Sequence, residues 1–282
     1  MAFKIPVENR IPTYPGRVTL TPVSGAENTF DMVRADAPIV EGTPINKELL
    51  DNKAYTLTED VTVYVSTTGN DIDGDGSLDN PFLTIQAAVD ALPKHLGGHT
   101  AEIYIDWGVY HERVVVKGFS GGKLVIGHPS GLPIIDGIEI SECTYVETNI
   151  YQIEYAQTGT AGLFDVSGGS NVVIKSAMTI DGLSAKGTGI RAIDGSTITT
   201  EESITVTINN CQAVIHAVKC ANVSVGTISG TGNIFGMLAY RGSIISYATD
   251  NLEIAWSNDA NSGGLVLTGS NSTTLSGATI EL

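Results

Sequence analysis

Ile204-Thr205-Val206-Thr207-Ile208 is followed by three more short β-branched runs, Val223-Ser224-Val225, Ile244-Ile245-Ser246 and Leu265-Val266-Leu267. The four begin 19, 21 and 21 residues apart. β-branched residues on alternate positions fit a pleated, half-buried strand. The intervals carry no helical pattern. A steady period of strand and turn is the pattern of a solenoid, in which each repeat buries its apolar face only against its neighbours.

Toward the N-terminus the same kind of run recurs at Val172-Val173-Ile174, Ile138-Glu139-Ile140, Pro133-Ile134-Ile135, Leu124-Val125-Ile126, Val114-Val115-Val116 and Ile103-Tyr104-Ile105. The predicted fold is all-β: a right-handed parallel β-helix with short strands joined by turns. Inward residues should stack on the same position of the next coil. Asn209-Asn210 suits a stacked or left-handed turn position. The Ile-Asp-Gly triplets at 135–137, 180–182 and 193–195 suit strand-to-turn transitions.

One helix stands out. Ile85, Ala88, Val89 and Leu92 follow i, i+3, i+4, i+7, so one face should be buried. Thr84 is placed to cap its start and Pro93 to end it. A solenoid exposes unpaired backbone at its first coil, and a short helix laid over that end is a sensible cap. The chain therefore divides into a β-helix over 57–282, with its N-terminal cap at 61–100, and an extended arm over 1–56. The arm carries six of the ten prolines, which argues against a compact sheet core there. Ile45 to Leu50 has room for a turn or two of helix. Val18, Leu20, Val23, Phe30, Met32, Val33 and Ile39 make the arm too apolar for a plain linker, so it is expected to dock on something else.

Before the helix lies Asn70-Asp71-Ile72-Asp73-Gly74-Asp75-Gly76-Ser77-Leu78-Asp79-Asn80. Asp71, Asp73, Asp75, Gly76 and Asp79 match positions of an EF-hand calcium loop, but position 12 is Phe82 and the preceding run, Val61 to Val65, is a strand. The simpler reading is an acidic turn whose carboxylates accept backbone N–H groups. Calcium held by Asp71, Asp73, Asp75 and Asp79 is the alternative, and no other cofactor is expected.

The net charge of −16 speaks against nucleic acid or an anionic membrane as partner. No apolar run approaches the length of a bilayer span. The first residues lack the apolar block of a signal peptide, so synthesis in a cytoplasm is expected. Cys143, Cys211 and Cys220 lack metal spacing and read as small buried apolar residues. No two of the five histidines share ligand spacing on one element.

Val63 to Asp71, Asp75-Gly76-Ser77 and Asn80-Pro81-Phe82-Leu83-Thr84-Ile85-Gln86-Ala87-Ala88 resemble the opening module of right-handed parallel β-helix proteins of the pectate-lyase-like superfamily. Ile103 to Tyr110 is similar to that family's first coil, with Trp107 where a small residue or Pro is usual. The resemblance covers 61 to about 117 and implies the fold, while the fold serves lyases, hydrolases and pure binding proteins. In the arm, Asn9 to Val23, Asp31 to Asp36 and Glu41 to Lys47 resemble the N-terminal segment of tail-fibre proteins from phages of Gram-positive bacteria. That resemblance implies a virion component of the tail, tethered through residues 1–56 to a tail or baseplate protein. It also implies a homotrimer that displays its β-helix to a host-surface glycan or protein.

A glycan-cleaving enzyme of this fold would need calcium and a base, or two carboxylates about 5 to 10 Å apart. Asp136, Asp165, Asp181, Asp194, Glu201 and Glu202 are the carboxylates available. If the chain is an enzyme, Asp181, Asp194 and Arg191 are the catalytic candidates. Against this, Asp181 and Asp194 each precede Gly and read as turn residues. Tyr240, Tyr247 and Trp256, with Phe235, lie on the last coils, where aromatics can stack on sugar faces. The leading expectation is a structural fibre protein, and a polysaccharide depolymerase is the rival.

Overall fold

A computed structural model describes residues 11–12, 18–22, 30–34, 38–40 and 56–268, except 131–132, 155–161, 184–186 and 257–258. The chain divides into two units, Lys4–Ala54 and a larger one containing Tyr55–Leu282.

The larger unit is a parallel β-helix built from three stacks of short strands. The first stack runs Val61–Val65, Thr100–Ile105, Lys123–Ile126, Val146–Thr148, Asn171–Ile174, Thr197–Thr200, then 222–225, 244–247 and Leu265–Thr268. The second runs 108–110, 133–135, Gln152–Glu154, Met178–Asp181, Thr205–Asn209, 227–230 and 249–252. The third runs 113–117, 137–141, Gly162–Ser167, Thr188–Ile193, Ala213–Val218 and 235–240, and closes on Asp259–Asn261. Every one of these pairings is parallel.

Register follows from the inward rows. Ala101, Leu124, Val146, Val172, Ile198, Val223, Ile245 and Val266 pair one after another, and none is more than 1% exposed. Val114, Ile138, Phe164, Ile190, Ile215 and Met237 form the matching row of the third stack, all fully buried. Burying each large aliphatic contributes roughly 1.5–3 kcal/mol, and a slip of one residue would turn a whole row outward. The coil length is uneven. The next partner lies 23 residues on from Ala101, 26 from Val172 and 21 from Ile245.

The period read from the sequence needs one correction. Val223, Ile245 and Val266 do share the first stack, but their predecessor is Ile198. The run at 204–208 belongs to the second stack, where Val206 is followed by Ile228. The spacing of 19 therefore joined two different faces of the coil.

Turn residues behave as their chemistry dictates. Asn210 adopts φ 55° and Asp194 φ 56°, the left-handed region that Asn and Asp tolerate. Asn233 is buried between coils, where its Oδ1 accepts the Cys211 N–H at 3.0 Å and its Nδ2 donates to the Ile208 carbonyl at 2.6 Å. Gly230 has φ +149°, and a Cβ there would lie 1.8 Å from the Ile208 carbonyl oxygen, so no side chain fits.

The helix α1 spans Ile85–Ala91, with Ile85, Ala88 and Val89 buried. Thr84 caps it, its Oγ1 accepting the Ala87 N–H at 3.2 Å. Gln86 on α1 binds the third stack's strand directly, accepting the Val115 N–H at 2.8 Å and donating to the Val115 carbonyl at 3.1 Å. This side chain satisfies the backbone of an edge strand as another strand would.

The described residues of the arm are extended strands, and they pair. They form an antiparallel hairpin, Val18–Pro22 with Phe30–Arg34, and a second pairing of Ile11–Pro12 with Pro38–Val40. Pro12, Pro22 and Pro38 stand at strand ends, where a missing N–H costs little. The possible helical turn at 45–50 lies outside the described residues. Among the described residues no helix is long and apolar enough to cross a membrane.

Candidate functional site

The acidic loop is organised around backbone N–H groups. Asp71 Oδ1 accepts the N–H of Leu83 at 2.7 Å and of Thr84 at 3.0 Å, while its Oδ2 accepts the Thr84 hydroxyl at 2.8 Å. Asn70 Oδ1 accepts the N–H of Ile72 and Asp73. Asp75 Oδ1 accepts the Ser77 N–H at 2.9 Å, and hydrogen bonds from Ser77 hold the Asp75 carboxyl below its usual range. Asp73 takes part through its carbonyl, which accepts from Asn80 Nδ2 at 2.8 Å. Asp79 is exposed. Among the described residues no group of three or more His, Cys, Asp or Glu is arranged to hold a metal ion.

A second carboxylate completes the helix start. Glu112, in the bend between the second and third stacks, accepts the N–H of Ile85 at 2.7 Å through Oε1 and of Gln86 at 2.9 Å through Oε2. Burial pushes its carboxyl up, the two N–H groups oppose this, and Asp71 and Asp136 push it up further. Asp71 and Glu112 together satisfy the donors that a helix N-terminus leaves orphaned.

The outer face of the third stack carries the strongest ion pair. Arg191 Nε lies 3.0 Å and 3.1 Å from the two carboxylate oxygens of Asp165, and its Nη2 closes a fork on Oδ2. Asp165 is 3% exposed, and Arg113 Nη2 approaches it from the other side at 3.8 Å. The hydrogen bond to Asp165 raises the Arg191 guanidinium further. His216, the next position in the row, is pushed down by burial and by Arg191, and its ring meets Tyr240 edge-on at 5.6 Å.

Arg191 is thus joined to Asp165 rather than to Asp181 or Asp194. Asp181 ends a second-stack strand, where its Oδ1 accepts from the Leu183 N–H and from Asn210 Nδ2. Asp194 sits in the turn after the third stack, paired with Lys219 at 2.9 Å. Glu201 pairs with Lys175 at 2.7 Å. Asp136 lies 3.4 Å from His111. The spacing of one coil, from 165 to 191, is the signal that would have found the true partner of Arg191.

The aromatics of the last coils are dispersed. Tyr247 ends a first-stack strand, Tyr240 ends a third-stack strand, and Trp256 pairs in register with Phe235. Tyr247 lines a shallow groove of about 310 Å³ with Thr200, Glu202, Ser224, Ser246 and Leu267. A smaller cleft of about 190 Å³ lies at the other end, lined by Thr67, Leu83, Thr84, Val109, His111 and Glu112. Nearby, Tyr64, Tyr104 and His128 stack outward with ring centres 5.4 and 4.7 Å apart.

Cys143 and Cys211 are buried, and burial pushes both thiols up, Cys211 to about 12. Neither has thiolate character at neutral pH. Cys220 departs from expectation. It is exposed, in a left-handed turn beside Lys219 that leads from the third stack into the first.

Comparison of the chain with models of known families, with characterised proteins and with solved structures returned no match.

Proposed function

We propose that this chain is a structural component of a phage or prophage tail fibre. In this reading the Lys4–Ala54 unit docks on a tail or baseplate protein. The β-helix is carried outward as part of a homotrimer and meets a host-surface glycan or protein. The observation that supports it is the division of the chain into a small unit of paired short strands followed by a parallel β-helix. The groove beside Tyr247 adds support, since Ser224 and Ser246 offer hydroxyls to a glycan on successive coils. Light scattering on the full chain tests the reading: the mass of a trimer is expected, and a monomer at all concentrations would overturn it.

The depolymerase reading has one observation in its favour, the raised carboxyl of Glu112 beside a cleft. Both of its oxygens are already committed to the helix N-terminus. Release of reducing ends or unsaturated sugars from host envelope glycan would favour the enzyme over the fibre.

A further inference from the structure

We infer that the cleft at the N-terminal end binds an uncharged sugar ring, with Trp107 as its stacking platform. Two exposed apolar side chains, Val109 at 49% and Leu83 at 42%, line this cleft, and a third, Trp107 at 71%, lies two residues before Val109 in the chain. Thr67 also lines the cleft, Gly108 packs on Thr67, and Trp107 directly precedes Gly108 in the chain. Ile105 and Tyr110, close by in the chain, are buried, so the coil had a core within reach for the indole.

The backbone that carries the indole is fixed. Asp106 Oδ1 accepts the Trp107 N–H at 2.8 Å, and the Tyr110 hydroxyl donates to the Asp106 carbonyl at 3.0 Å. Gly108 packs so closely on Thr67 that a Cβ there would lie 2.5 Å from its methyl group. With the backbone fixed, only the two side-chain torsions of the indole remain to be ordered on binding.

The rest of the cleft is polar. His111 is 79% exposed, and its Nδ1 faces Asp136 at 3.4 Å, which leaves Nε2 to meet a ligand hydroxyl. The Glu112 oxygens each hold one N–H and keep a further lone pair. An apolar plate beside hydroxyl-binding groups matches a sugar, whose ring offers C–H bonds on its face and hydroxyls on its edge.

Charge narrows the class. Asp71 and Asp136 both act on Glu112, and Asp106 flanks the platform. With a net charge of −16 over the chain, a uronate or phosphate would be repelled. This inference rests on the cleft alone and does not need the fibre reading.

Intrinsic tryptophan fluorescence of the full chain tests it, since Trp107 and Trp256 are its two tryptophans. The probes are glucose, galactose, mannose, rhamnose and N-acetylglucosamine, with glucuronic acid as the charged control, all in the millimolar range. A saturable change is expected with at least one neutral sugar and none with glucuronic acid. Because these variants remove the reporting indole, titration calorimetry reads them: Trp107→Ala should lose the binding heat with its melting curve unchanged, and Trp107→Tyr should bind within about tenfold of the parent. The inference is overturned if no neutral sugar gives a saturable change, if calorimetric binding survives in Trp107→Ala, or if glucuronic acid binds equally. It also fails if the emission shifts on dilution in the absence of sugar, because a second copy would then be the occupant.

Discussion

Asp165 lies under the guanidinium of Arg191, one coil further along the chain, with Nε 3.0 Å from Oδ1 and a second contact closing the fork. The carboxylate is 4% exposed and also faces Arg113. A charge placed there is tolerable only because it is paired. Replacing Asp165 with Ala leaves two guanidinium groups facing each other and should destabilise the protein by about 3–5 kcal/mol. Arg191→Ala should cost less, because Arg113 remains beside the carboxylate. The double variant Asp165→Leu/Arg191→Met should recover most of the loss. Urea unfolding midpoints measure all three, and equal losses for the two single variants would contradict the role given to Arg113.

The same pair governs a titration. Burial, then the Arg191 charge, lowers the His216 imidazole. A base held below its ordinary value of 6.5 favours the neutral form in the folded state, so its contribution is present at neutral pH and is lost as pH falls below 6.5. Removing Arg191 should raise the His216 midpoint, as read by the histidine proton shifts in NMR.

Asp71 caps the start of α1 through both of its carboxylate oxygens. Asp71→Ala should destabilise the helical cap by about 1 kcal/mol. The melting curve should be the same in excess calcium and in chelator. A rise in melting temperature with calcium would support the cation reading of Asp71, Asp73, Asp75 and Asp79.

Glu112 gives the opposite pH sign from an ordinary salt-bridged acid. Burial raises its carboxyl above 4.5, so the folded state binds the proton more tightly than the unfolded state does. Its contribution to stability should therefore fall as pH rises from 4.5 through the higher folded value. In Glu112→Gln that dependence is absent, so the parent's advantage over the variant should shrink across this window. Denaturant midpoints of both proteins at successive pH values give the slope directly.

Thr148 interrupts an inward row between Ile126 and Ile174. It is fully buried, and its Oγ1 has no hydrogen-bond partner. A buried hydroxyl without a partner is destabilising, so Thr148→Val should raise stability by about 1 kcal/mol. A loss of stability would show that the hydroxyl is satisfied in solution.

Much of the fold was readable because its signals are local. The i, i+3, i+4 pattern marked α1 to within a residue, and alternate Val and Ile marked the strands. What the pattern does not carry is the stack to which a strand belongs, since Val206 in the second stack and Val223 in the first show the same alternation. The arm's pairings were hidden because prolines were weighed against sheet as such, while Pro12, Pro22 and Pro38 sit at strand ends. The site residues divide in the same way. Asp71 was legible as a turn acid from its own neighbours. Glu112 reaches a helix 26 and 27 residues earlier, and Asp165 meets Arg191 across 26 residues. Asp194, only three positions from Arg191, looked nearer but lies beyond the strand end.

The uneven coil length has a further consequence. Coils of 21 and of 26 residues stack on the same inward rows, so the extra residues lie in the turns and leave the cross-section unchanged. The axis therefore behaves as a ruler graduated in single coils, each advancing it by about 4.8 Å. A whole coil is the smallest piece that can be inserted or excised without rewriting the interior. Over generations the reach of such a rod can be lengthened or shortened in steps while every surviving contact keeps its partner.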